Sequence, residues 1–127
     1  MLFRSTFLNF RIDTDFVSEE MLNEKMQCCD LLFAWNNMNV AGSNSGIAMD
    51  MMGARRKLIV KDSNHYGFVA SIKGVEKGRQ NVDEFVEDMF KLFRSNKLNN
   101  NIPDPTPYSW ETLTEKYAMY FYEILGE

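Results

Sequence analysis

At 127 residues the chain holds one domain with a single core. Its 45% apolar and 25% charged content fits a globular protein and excludes a disordered one. A net charge of −4 without a dense Lys/Arg patch argues against nucleic acid as a partner, and no apolar run is long enough for a membrane span.

Phe7, Leu8, Phe10 and Ile12 predict a first strand. The segment Met1–Phe10 carries Arg4 but no sustained apolar core, so no signal peptide is expected. Cys28 and Cys29 are adjacent and poorly placed to bridge each other, which gives a reduced, cytoplasmic setting as the expectation. Asp13-Thr14-Asp15 offers two carboxylates but no third ligand beside them. It reads as a solvated turn, and no metal site is expected.

Ser18 caps a helix of about 19–29, with Glu19 and Glu20 in its first turn. Met21, Leu22, Met26 and Cys29 line one face, so Cys29 is expected to pack against the sheet as a structural thiol. The nine methionines are read as core filler.

Leu31-Leu32-Phe33-Ala34-Trp35 is an apolar run of strand length, read as buried on both faces. Asn36–Ser45 has loop composition, and Ile47, Ala48, Met51, Met52 and Ala54 recur at helical spacing. Lys57–Lys61 returns as a strand. Two strands joined by a helix in this span predict a parallel βαβ unit. Ligands sit outside the carboxyl ends of such strands, here the loops Asn36–Gly46 and Asp62–Tyr66. His65, the only histidine, lies on the second loop.

Phe68–Ile72 reads as a fourth strand or an irregular apolar segment, and Lys73–Arg79 as loop. Asn81 caps a helix running to about Ser95, with Glu84 placed for a capping box. Asn96–Tyr108 breaks the helix, with prolines at 103, 105 and 107. Ser109 caps a last helix whose stripe is Trp110, Leu113, Tyr117, Phe121 and Ile124, with Tyr120 and Tyr122 adding apolar girth. That surplus predicts docking of the 109–125 helix on a partner domain or in a homo-oligomer. No internal repeat is visible. The fold class expected is α/β: a three-layer Rossmann-like domain with a mainly parallel sheet of three or four strands and a long C-terminal helix.

Four segments in order, DTDFVSEEMLNEKMQCCDLLFAW, SGIAMDMMGARRKLIV, the Asp50-x11-Asp62 spacing and PYSWETLTEKYAMYFYEIL, together make residues 13–125 resemble the carboxyl-terminal part of glycosyltransferases of the GT-B, group 1-like type. Ser45–Val60 (SGIAMDMMGARRKLIV) is similar to that family's small-residue loop, helix and strand, and Asp50-x11-Asp62 matches its Glu-Ala-Met helix followed by a strand ending in Asp. Pro107–Leu125 resembles its closing SW…Y…Y helix, and DTDFVSEEMLNEKMQCCDLLFAW its preceding helix and strand. The resemblance implies binding of a nucleotide-diphosphate sugar as substrate, with no other cofactor, and transfer of the sugar to an acceptor. It implies a diphosphate cradle at Ser43, Asn44, Ser45, Gly46 and Ile47, and nucleotide or sugar contacts at Asp50 and Asp62. Asp50 and His65 are the catalytic candidates. The physics of the loop agrees, because amides and the dipole at a helix N-terminus attract a diphosphate and Gly46 permits close approach.

Several positions depart from the family. Gly42 stands where many relatives carry a second glutamate, and Arg55 and Lys57 stand where Gly and Pro are common. The family's Lys/Arg donor clamp and its amino-terminal acceptor domain have no counterpart in these residues. Two other readings compete. Asn44-Ser45-Gly46-Ile47-Ala48-Met49-Asp50 also resembles the Asp-Ser-Gly-x-x-x-Glu segment of nucleoside 2-deoxyribosyltransferases, whose glutamate is the nucleophile. The other is a non-catalytic Rossmann-like module that binds a nucleotide or a partner.

Overall fold

The computed structural model describes residues 14–37 and 45–126, so the strand expected at Phe7–Ile12 and the residues Asp13, Gly42, Ser43 and Asn44 lie outside it. The chain is an α/β domain built on a three-stranded sheet in the order β1-β2-β3. β1 (Leu31–Ala34) pairs in parallel with β2 (Lys57–Lys61), and β2 pairs in parallel with β3 (Val75–Gly78). The helices are α1 (Glu19–Gln27), α2 (Gly46–Gly53), α3 (Gly67–Ala70), α4 (Val82–Arg94) and α5 (Trp110–Leu125). Short 3₁₀ turns at Asn64–Tyr66 and Thr106–Tyr108 precede α3 and α5.

The sheet has two unlike faces because successive strand residues point to opposite sides. Leu32, Ala34, Leu58 and Val60 face α2 and α3, where they bury Ala48, Met52, Tyr66, Val69 and Ile72, with Met26 from α1 closing the same cluster. The other face carries Phe33 and Ile59 under Phe85 of α4, with the two phenyl rings 6.2 Å apart. Helices on both faces make three layers. Ile59 and Phe85 are only 1% and 3% exposed, so this second contact, though small, is dry.

Side-chain caps fix the helix starts. Ser18 Oγ accepts from the Met21 N–H at 3.2 Å, and Asn81 Oδ1 accepts from those of Asp83 and Glu84 at 2.9 and 3.2 Å. Ser109 Oγ accepts from the Thr112 N–H at 3.2 Å.

Four expectations need correction. The segment Phe68–Ile72 is not a strand: α3 occupies Gly67–Ala70, and Val69 and Ile72 are buried three residues apart. The expected loop Lys73–Arg79 contains β3, a short edge strand whose Glu76 and Lys77 give no alternation to read. A Cβ on Gly78 would run into the Phe85 ring, so glycine there lets α4 close on the sheet. β1 is not buried on both faces, since Phe33 is 52% exposed; among the described residues it is an edge strand, and only β2 is enclosed. Cys29 is exposed rather than packed on the sheet, because α1 ends at Gln27 and Cys29 lies in the turn to β1, its Sγ donating to the Lys25 carbonyl at 3.2 Å.

Lys57 ties the amino-terminal edge of the sheet together. Its ammonium is 2.9 Å from Glu76 and donates to the carbonyls of Gly74, Asn100 and Asn101 at 3.4, 3.2 and 3.4 Å. Arg55 has φ +55°, the left-handed region that glycine favours, and its guanidinium donates to Asp104 at 3.4 Å and Thr106 at 3.2 Å. Together these contacts hold the Asn/Pro-rich segment that leads into α5.

α5 itself has no buried residue. Its expected stripe is in place, but Trp110, Tyr117, Phe121 and Ile124 face solvent. No helix among the described residues is long and apolar enough to cross a membrane.

Candidate ligand-binding rim

The carboxyl ends of the parallel strands carry two depressions. The first, about 400 Å³, is walled by Trp35 and Asn36 after β1, Ser45, Gly46 and Ile47 at the start of α2, and His65 after β2. Ser45 is nearly buried, and its Oγ accepts from the Ala48 N–H at 3.2 Å while its carbonyl accepts from Met49 at 3.2 Å. The Gly46 and Ile47 amides therefore precede the first helical bond at the positive end of the helix dipole. A Cβ built on Gly46 meets nothing within 4 Å, so packing does not require glycine there.

Trp35 contributes the most unusual group. Its indole Nε1–H is buried and has no hydrogen-bond partner among the described residues. The Lys61 ammonium lies 4.4 Å from the ring centroid and donates to the Asn36 carbonyl at 2.9 Å, which brings a positive charge to this wall. His65 is half-buried, its ring edge-on to Tyr66 at 4.9 Å. Burial pushes the Tyr66 phenol above its ordinary value, so it stays neutral near pH 7.

The second depression, about 390 Å³, lies between α3 and the ends of β2 and β3, lined by Asp62, Ser63, Asn64, Lys77 and Gln80 among others. Ser63 Oγ is the second buried side-chain polar atom without a partner among the described residues. Both such atoms sit within two residues of a strand's carboxyl end. A buried donor left without a partner costs about 1–3 kcal/mol.

The structure thus brings together Ser45, Gly46, Ile47 and His65 from the expected set. Asp62 lines the neighbouring depression. Asp50 does not join them: it lines a groove of about 530 Å³ between α2 and the start of α5, with Met49, Arg55, Tyr108 and Trp110. Ser43 and Asn44 lie outside the described residues. No three His, Cys, Asp or Glu side chains gather to hold a metal among the described residues. Trp35, Lys61 and Ser63 were not apparent as site residues from the sequence. A tryptophan closing a strand at the edge of a loop was the one available signal.

No protein-family model matches the chain, and neither a curated protein nor a solved structure matches it.

Proposed function

We propose that the chain binds the diphosphate of a nucleotide-sugar in the cavity between Trp35 and α2, as the donor-binding part of a glycosyltransferase acting in a reduced, cytoplasmic setting. The observation that carries the reading is the cavity that sets the Gly46 and Ile47 amides, at the start of α2, against Trp35 and His65. A phosphate oxygen is the acceptor that suits the Gly46 and Ile47 amides. The left-handed backbone at Arg55, where the resembling enzymes commonly have glycine, supports the alignment.

In transfer, the bond from the sugar's anomeric carbon to the diphosphate breaks as the acceptor oxygen attacks that carbon. The leaving diphosphate gains charge, and preorganised amides with the nearby Lys61 ammonium stabilise it. His65 is the candidate to take the acceptor's proton. Asp62, across the 64–66 turn, is the candidate sugar contact.

The 2-deoxyribosyltransferase reading needs a carboxylate nucleophile in the ligand cavity, and the opening of Asp50 into a different groove speaks against it. A module that binds the nucleotide without chemistry is the second reading, favoured by a cavity wall that has no carboxylate among the described residues.

Calorimetric titration with a panel of nucleotide-sugars, nucleoside diphosphates and nucleosides tests the proposal. Binding is expected for the diphosphates and not for nucleosides. Gly46→Val is expected to abolish that binding while leaving the thermal midpoint nearly unchanged, since a Cβ there meets no described atom within 4 Å. Retained affinity in that variant would overturn the proposal. Binding without sugar transfer to any acceptor would favour the second reading.

A further inference from the structure

The exposed surface of α5 is ordered in a way that specifies what covers it. Trp110, Leu113, Tyr117, Tyr120 and Ile124 fall at alternating spacings of three and four, which is an a/d seam over two heptads. Trp110, Tyr117, Tyr120 and Ile124 on that seam are 81, 61, 60 and 63% exposed. With Phe121, 60% exposed at the flanking e position, these side chains leave on the order of 500 Å² open on one side of the helix, within the range of the largest apolar patch a monomer carries. Two such faces together make about 1,000 Å², the lower bound of a specific interface.

Charge placement then selects the partner and its direction. Lys116 and Glu123 each precede an a position, so both occupy g. In an antiparallel pair of identical helices g faces g, and Lys116 of one copy meets Glu123 of the other, twice across the two-fold axis. In a parallel pair g faces e, where Thr114 and Phe121 offer no charge. We propose that α5 pairs antiparallel with α5 of a second copy of this chain. The carboxyl end of the partner's helix then lies beside Leu113 and the mouth of the groove that holds Asp50. This pairing does not depend on the donor-site reading.

Sedimentation equilibrium on the full chain over micromolar concentrations tests it. A dimer is expected, with Lys116→Glu and Glu123→Lys each weakening association about tenfold by placing like charges together. The double variant K116E/E123K restores the opposite-charge pairs and is expected to return the dissociation constant to near that of the parent. All these positions are exposed, so near-UV circular dichroism should confirm an unchanged fold in each variant. A monomer throughout the range, higher aggregates, or a double variant no tighter than the singles would each overturn the pairing.

Discussion

Lys57 places one ammonium group, 2% exposed, against two separate stretches of chain. A buried cation is tolerable only with its hydrogen bonds complete, and here the start of β3 and the 100–101 loop complete them. Removing the charge leaves three carbonyls short of a donor. Lys57→Met is therefore expected to lower unfolding free energy by about 2–3 kcal/mol, read from urea melts. Glu76→Gln, at a carboxylate 46% exposed, should cost far less. The sequence showed Lys57 only as a departure from a resembling pattern, since nothing local announces a lysine that turns inward. The same holds for Trp35: its place in an apolar run is legible, but a buried donor with no acceptor among the described residues is a property of the assembled rim. Ser45, Gly46, Ile47 and His65 were legible as neighbours because parallel strands place both of their following loops at one end of the sheet. Asp50 was not, because one turn of helix directs it into another groove.

Among the elements, the helices that begin at Ser18, Asn81 and Ser109 were readable because a short polar side chain at the cap is a local signal. β3 was not, because a short edge strand with two charged residues and a terminal glycine resembles a turn. What secures β3 to its neighbour is Arg79, just beyond it. The Arg79 backbone N–H donates to Asp88 at 2.8 Å, and its guanidinium donates to Asp88, to Glu87 and to the Glu84 carbonyl. Partial burial pushes the Asp88 carboxyl up, but these Arg79 hydrogen bonds outweigh it and hold the group below its ordinary value. A carboxyl lowered on folding contributes stability above its unfolded value and loses it as pH falls through the folded one. Asp88→Asn should thus be less stable than the parent at neutral pH. The gap between their thermal midpoints should close as pH drops below about 3.9.

At the scale of the whole molecule the two sides of the sheet are unequally furnished. One side holds a continuous cluster from three helices; the other depends on a single phenyl ring seated between Ile59 and Gly78. Phe85→Ala is expected to cost about 3–5 kcal/mol, a large share of the stability of a domain this size. Phe33→Ala, on a side chain already half in water, should cost much less, and urea denaturation of both variants would check the contrast.

The two tryptophans sit in unlike surroundings, one half-buried at the rim with its nitrogen shielded, the other 81% exposed at the root of α5. Each indole therefore samples a different solvent environment. The protein carries two built-in optical reporters, one for whatever enters the cleft and one for whatever meets the terminal helix. Replacing either by phenylalanine leaves the remaining emitter to follow its own event undisturbed.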